Sequence, residues 1–228
     1  MYILSEVNQV LGIDTEVVKN ILIRYADRKK VEIAIYKSNN QIANRYIAKQ
    51  EASSKILQGI ESLLTECQTG LKDIEKIIVN LGPSPFTTLR TVISTVNGLA
   101  FANQIPIVGV DGLQAFVNHD LQKFVDKPIV VVFNAFSHDV YYAIKDLSPK
   151  LLETGISTID NLLEKISQLK NFYLAGNGYQ QYQDRLKDQN YTILDCNFPS
   201  LNALYYESLG KESQTQVLPL YLKAIKIY

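Results

Sequence analysis

The stretch IIVNLGPSPFTTLRTVISTVNGLAFANQIPIVGVDG, residues 77–112, decides how the rest of the chain is read. Ile77, Ile78 and Val79 form a short β-branched run of the kind that a strand covered on both faces requires, and Gly82-Pro83 ends it. Leu89, Val92, Val96, Leu99 and Ala100 then recur at helical spacing and predict a helix with a sheet-facing stripe, for which Ser84 or Thr87 could serve as cap. Pro106 leads into a second strand, Ile107-Val108-Gly109-Val110. A strand, helix and strand of this length predict a right-handed parallel crossover.

The same helix carries a second stripe, Thr88, Thr91, Thr95, Gly98 and Ala102, made only of small side chains. Spacings of three and four place all five on one side. Such a stripe is either a lightly covered surface or a seat that lets another helix axis come close.

Working outward, two strands are predicted at 20–25 and 31–36 and a third extended piece at 42–47, so the chain opens as an antiparallel meander. A helix over about residues 50–67 follows, with Ile56, Leu57, Ile60, Leu63, Leu64 and Cys67 on one face and Thr69-Gly70 ending it. On the other side of the central stretch, Asp111-Gly112 turns into a helix holding Leu113, Phe116, Val117 and Leu121. A hairpin at 129–135 and 139–144 comes next. The last third reads as alternating helix and strand: helix 158–169, strand 172–175, helix 179–187, strand 191–194, helix 200–210. Residues 1–19 fit either a short helix opening at Asp14 or a strand through Leu11-Gly12-Ile13, and are taken as an N-terminal extension.

Several of these segments resemble one family. Gly82-Pro83-Ser84-Pro85-Phe86-Thr87-Thr88-Leu89-Arg90 is similar to the G-P-G-S-F-T-G-L-R signature of the bacterial tRNA threonylcarbamoyladenosine biosynthesis protein family TsaB, also called YeaZ. Asn97-Gly98-Leu99-Ala100-Phe101 and the segment 105–110 continue the match without a gap. Residues 132–141, VFNAFSHDVY, resemble the family's A-L-D-A-R-R-G-E-V-Y, Leu174-Ala175-Gly176-Asn177-Gly178 resembles its V-G-D-G turn, and residues 218–223, LPLYLK, its closing P-L-Y-L-R. The departures are chemical. Ser84 and Thr88 replace glycines and Pro85 a serine; Asn134 and Asn177 replace aspartates and Phe136 an arginine; Tyr25 or Arg24 falls on another aspartate, and Ala52 on a histidine.

The resemblance implies an α/β, actin/hexokinase-like (ribonuclease H-like) fold with two related subdomains, here residues 20–112 and 113–228. It also implies a non-catalytic scaffold that binds a TsaD-like catalytic subunit, with a TsaE-like ATPase assisting and tRNA reached through the complex. Self-association of the isolated chain is left open. The turn Gly82, Pro83, Ser84 and Thr87 is then a degenerate nucleotide site, because the lost glycines and Pro85 remove the backbone nest an anion needs. Magnesium would need carboxylates where Asn134 and Asn177 stand. No cofactor, metal or catalytic residue is expected, and the partner interface is placed on Thr88, Thr91, Thr95, Gly98 and Ala102. The alternatives are a small-molecule kinase or ATPase of the same superfamily and, further off, a glycoprotease-like peptidase.

Bulk composition bounds these readings. With 228 residues, 46% hydrophobic and 20% charged, the chain can bury a large core. No apolar run approaches the ~20 residues of a membrane span, and the start lacks a secretory pattern, so a cytoplasmic protein without a membrane partner is expected. Lys and Arg total 23 and Asp and Glu 23, so no global field draws the chain to nucleic acid. Cys67 and Cys196 lack metal-ligand spacing and read as small core hydrophobes. Ser137-His138-Asp139 is no triad, since consecutive residues on a turn point in different directions. His119 and His138 read as surface residues.

Overall fold

The computed structural model describes residues 19–27, 29–135, 138–147 and 152–220. Two five-stranded sheets carry the molecule. The first is built from β1 (Lys19–Asp27), β2 (Lys30–Lys37), β3 (Asn40–Ala48), β4 (Ile74–Asn80) and β5 (Ile107–Val110), in the order β3-β2-β1-β4-β5. Its first three strands form an antiparallel meander, whereas β4 joins β1, and β5 joins β4, in parallel. The second sheet contains β6 (Ile129–Asn134), β7 (Asp139–Lys145), β8 (Leu152–Thr158), β9 (Phe172–Ala175) and β10 (Tyr191–Ile193). Its order, β8-β7-β6-β9-β10, and its pairing senses repeat those of the first. This duplicated topology is what two related subdomains of an actin/hexokinase-like fold require.

Helices α1 (Ala52–Glu66) and α2 (Phe86–Asn103) pack side by side on one face of the first sheet. Leu89, Val92 and Val96 of α2 and Ile56, Ile60 and Leu63 of α1 meet Ile21, Ile23 and Ile77 there. Each large side chain so enclosed contributes about 1.5–3 kcal/mol from apolar burial. Ala52, at the family's histidine position, is buried in this layer. The opposite face is covered by α6 (Leu201–Ser208), through Leu201, Leu204 and Tyr205. Between the sheets runs α3 (Gly112–Ala115), continued as a π-type turn over Phe116–Asp120, with Ala115 facing the first sheet and Leu113, Phe116 and Val117 the second. Helices α4 (Ile159–Ile166) and α5 (Gln183–Leu186) close the far side of the second sheet.

Two sequence expectations need correction, and one strand had not been expected. Neither Ser84 nor Thr87 caps α2: Pro85 holds the N-cap position and no side chain caps the helix. The segment before α4 is strand β8, running directly into Thr158, whose hydroxyl accepts the Asn161 amide and starts the helix. The helix expected over 179–187 is a 3-10 turn, Tyr179–Tyr182, followed by α5. The reading of residues 1–18, the Phe136 and Ser137 positions and the closing motif beyond Leu220 lie outside the described residues.

Candidate functional site: an uncharged cleft between the two sheets

Where β4 and β5 of one sheet and β6 and β9 of the other end, the loops that follow them enclose a cleft, the position that open α/β sheets give to ligands. It is lined by Asn80, Pro83, Ser84, Pro85, Gly112, Phe133, Asn134, Tyr141, Asn177, Phe198 and Pro199, and holds about 520 Å³ counting the solvent at its mouth. Four parts of the chain that the sequence singled out separately, the turn after β4, Gly112, Asn134 and Asn177, thus meet.

The turn after β4 is fixed by its own backbone. Gly82 has φ +123°, a left-handed value that suits glycine, and its peptide to Pro83 is cis. The Gly82 amide donates to Asn80 Oδ1 at 2.8 Å, and the Gly82 carbonyl accepts the Gly112 amide at 2.8 Å. A Cβ on Gly112 would stand 2.8 Å from Asn80 Oδ1 and 2.9 Å from the Gly82 carbonyl, so only glycine fits. Pro83 and Pro85 have no amide hydrogen. Of the four residues 82–85, Ser84 alone keeps an N–H outside this internal network. An anion arriving at the turn would meet no nest.

On the other wall, Gly176 has φ +95° and its amide donates to the Cys196 carbonyl, while the Gly178 amide donates to the Val132 carbonyl at 2.7 Å. Asn177 Oδ1 accepts the Asn134 amide at 3.4 Å, and Asn134 Nδ2 donates to Gln181 Oε1. The two carboxamides therefore knit β6 to the turn after β9. Phe198 lies 6.1 Å from Phe133, ring centre to ring centre and nearly parallel, and closes one side.

Among the described residues no carboxylate, lysine, arginine or histidine lines the cleft. Arg24 of β1, one of the two positions aligned with a family aspartate, reaches the edge of the cleft at Pro199. Its Nη1 donates to the Pro199 carbonyl at 2.7 Å, and its Nη2 and Nε reach Glu32 Oε2 at 2.6 and 2.7 Å. The pair is nearly sealed from water, and Asn44 Nδ2 donates to the other Glu32 oxygen. Behind it, burial and the neighbouring Glu32 push the Tyr36 phenol up to about 12. Asp111, at the cap of α3, accepts the Leu113 and Gln114 amides; burial nevertheless raises its carboxyl above the usual range. Among the described residues no three His, Cys, Asp or Glu side chains gather as a metal ligand set.

The other singled-out residues lie elsewhere. Thr87 is exposed on α2, beside a shallow groove formed with Phe86, Arg90, Thr91 and Ser94. Thr88 is buried, Thr91 and Thr95 are half-buried with their hydroxyls donated to the carbonyls of Thr87 and Thr91, and Gly98 and Ala102 are exposed. His138 sits exposed at φ +71°. His119 is not a bare surface residue: its Nε2 lies 3.0 Å from Glu207 Oε2 and ties the π-type turn to α6. Sequence reasoning missed Asn80, Phe198 and Pro199 as lining residues. The available signal was a polar residue closing the buried run of β4 and an aromatic-proline pair directly before a helix.

With the geometry fixed, comparison with known proteins can be set beside it. The sequence model of the family described as TsaD, tRNA N6-adenosine threonylcarbamoyltransferase, matches residues 36–218. A protein of Buchnera aphidicola subsp. Schizaphis graminum named tRNA threonylcarbamoyladenosine biosynthesis protein TsaB is 26% identical over 197 residues, covering 83% of this chain and 92% of its own. Its Escherichia coli namesake is 24% identical over 169 residues, 72% of this chain and 73% of that one. Among solved structures, YeaZ from Pseudomonas aeruginosa superposes with a TM-score of 0.70 at 21% identity, covering 90% of this chain and all of that one. No helix among the described residues is long and apolar enough to cross a membrane.

Proposed function

This chain belongs to the TsaD family, with TsaB (YeaZ) proteins as its relatives there, and from that premise we propose that it serves tRNA threonylcarbamoyladenosine biosynthesis as a non-catalytic subunit. In this reading it binds a TsaD-like subunit that performs the transfer, a TsaE-like ATPase assists, and tRNA is reached through the complex.

The observation that carries the non-catalytic part is the chemistry of the cleft. Phosphoryl chemistry needs carboxylates for magnesium and amides or cations for phosphate oxygens. Here asparagines occupy the first places, prolines and an internal hydrogen bond remove the second, and Arg24 is committed to Glu32. A kinase or ATPase would find no carboxylate among the described lining residues with which to hold its metal. For a peptidase, the sequence offers two histidines, of which His119 meets Glu207 and His138 sits exposed on a turn.

For the docking surface we propose the outer side of α1 and α2. Gly98 and Ala102 are exposed, nothing lies within 4 Å of where a Cβ on Gly98 would be, and Phe101 and Leu57 project at 86% and 53% exposure. Small residues beside projecting apolar ones suit a partner helix. The test is affinity purification of the chain from its native cell. Recovery of a TsaD-like protein in stoichiometric amount supports the reading; a partner-free chain that turns over ATP with magnesium would refute it.

A further inference from the structure

We propose that the tip of the β1–β2 hairpin, with Lys29, Lys30, Lys49 and Tyr46, is a contact surface for RNA, its lysines meeting the phosphate backbone and its tyrosine one unpaired base. The inference rests on the reading that this chain serves a tRNA-modifying assembly, and adds to it a direct touch on the nucleic acid.

Charge is the first observation. Basic and acidic side chains balance over the whole chain, yet Arg28-Lys29-Lys30 is the one place in the sequence where basic residues stand next to each other. The fold brings a further lysine to that run: the Lys49 amide donates to the Lys29 carbonyl at 2.7 Å, and Lys30 pairs with Ala48 across β2 and β3. Lys29, Lys30 and Lys49 are all exposed. The described carboxylates nearest to them in the chain are held by other cations, Glu32 by Arg24 and Glu51 by Lys55. A chain without net charge thus keeps a local positive patch, and each lysine that meets a phosphate releases a counterion.

The second observation is an aromatic ring within the patch. Tyr46 of β3 is 53% exposed, and Lys30 Nζ lies 5.2 Å from its ring centre. A cation beside an exposed ring suits a single strand, the ring taking a base face and the cation the adjoining phosphate. An anionic membrane would call instead for an apolar helix face, and the apolar face of α1, the helix beside the tip, is already packed on the sheet. Position is the third observation. Strand β1 runs parallel to β4, so the tip stands at the same end of the first sheet as the turn after β4. Helix α1 begins directly after the 3-10 turn Lys49–Glu51, which sets the patch beside the helix proposed for the partner. One RNA could span both.

Fluorescence anisotropy of the full chain with an unmodified tRNA transcript and with a single-stranded oligoadenylate decides it. Saturable binding of both is expected at about 50 mM salt, weaker by about tenfold or more at about 200 mM. Lys30→Glu and Lys49→Glu should each weaken both RNAs several-fold and lower the salt slope by about one, with the melting temperature unchanged. Lys187→Glu, the same charge change on the exposed surface of the second half, should leave binding within about twofold. Tyr46→Ala should weaken the oligoadenylate about fivefold or more with the salt slope unchanged. The contact is overturned by no saturable binding at the lower salt, by losses from Lys187→Glu equal to those from Lys49→Glu, by full affinity of Tyr46→Ala for the oligoadenylate, or by tighter binding to phosphatidylserine vesicles than to the transcript. A wild-type chain that recovers a TsaD-like partner yet binds no RNA overturns this contact alone; one that binds RNA as expected yet recovers no such partner supports the contact and counts against the functional reading.

Discussion

Arg24, one of two residues on which a family aspartate falls, serves in this structure as an internal clamp. It bonds Glu32 within its own sheet and the Pro199 carbonyl on the segment leading to α6. With Arg24 13% and Glu32 3% exposed, removing one partner leaves a buried charge alone. Arg24→Ala should therefore cost about 3–5 kcal/mol, read from urea unfolding, and the double change Arg24→Leu with Glu32→Leu should recover most of it. A single variant within about 0.5 kcal/mol of wild type would mean that the pair is solvated. Tyr36 gives a prediction in pH. Its folded value of about 12 lies above the ordinary 10, so the unfolded chain ionises first. The contribution is whole below pH 10 and lost as pH rises towards 12; wild type should lose stability across that window relative to Tyr36→Phe. Parallel curves for the two proteins would contradict the burial that raises the phenol. At this scale the sequence was half legible. The exchange of carboxylates for Asn134 and Asn177 could be read directly. The reach of Arg24 to Pro199 and of Phe198 to Phe133 could not, because each joins parts of the chain that are distant in sequence.

Among the elements, α2 and its flanking strands were the most legible, because a β-branched run, a glycine-proline stop and a 3.6-residue apolar stripe agree with one another. Strand β8 was not. As an edge strand with partly exposed residues throughout, its sequence LETGIST lacks the alternation that a half-buried strand shows. The cap of α2 was misread because Ser84 and Thr87 have the right chemistry, whereas the two prolines around Ser84 set the backbone that decides which residue stands at the boundary. The proposed docking surface is tested at this scale by Thr95→Arg. Thr95 is half-buried and spends its hydroxyl on the Thr91 carbonyl, so in the isolated chain a long side chain can extend outward at a cost within about 0.5 kcal/mol. In a helix contact it would bring an unpartnered charge into a close-packed seam, at several kcal/mol. An unchanged melting temperature with loss of co-purification is expected; a variant that folds and binds like wild type would remove α2 from the interface.

For the whole molecule, the duplication that defines the architecture is invisible as sequence repetition and plain as topology, since both sheets share strand order and pairing sense while their residues diverge. Equally hidden was the crossing of α6, which lies late in the chain yet covers the first sheet and stacks Tyr205 on Tyr36 at 4.9 Å. A cleft whose described lining carries no charge should not bind Mg-ATP at micromolar concentration, and calorimetry on the isolated chain would expose an error there. The central claim, a subunit needed for threonylcarbamoyladenosine formation without chemistry of its own, is tested most directly in the native cell. Deplete the chain, isolate tRNA, and quantify the modified nucleoside by mass spectrometry, with wild type or Thr95→Arg supplied back. Loss of the nucleoside on depletion, return with wild type and failure with Thr95→Arg is the expected result; an undiminished level in depleted cells would contradict it.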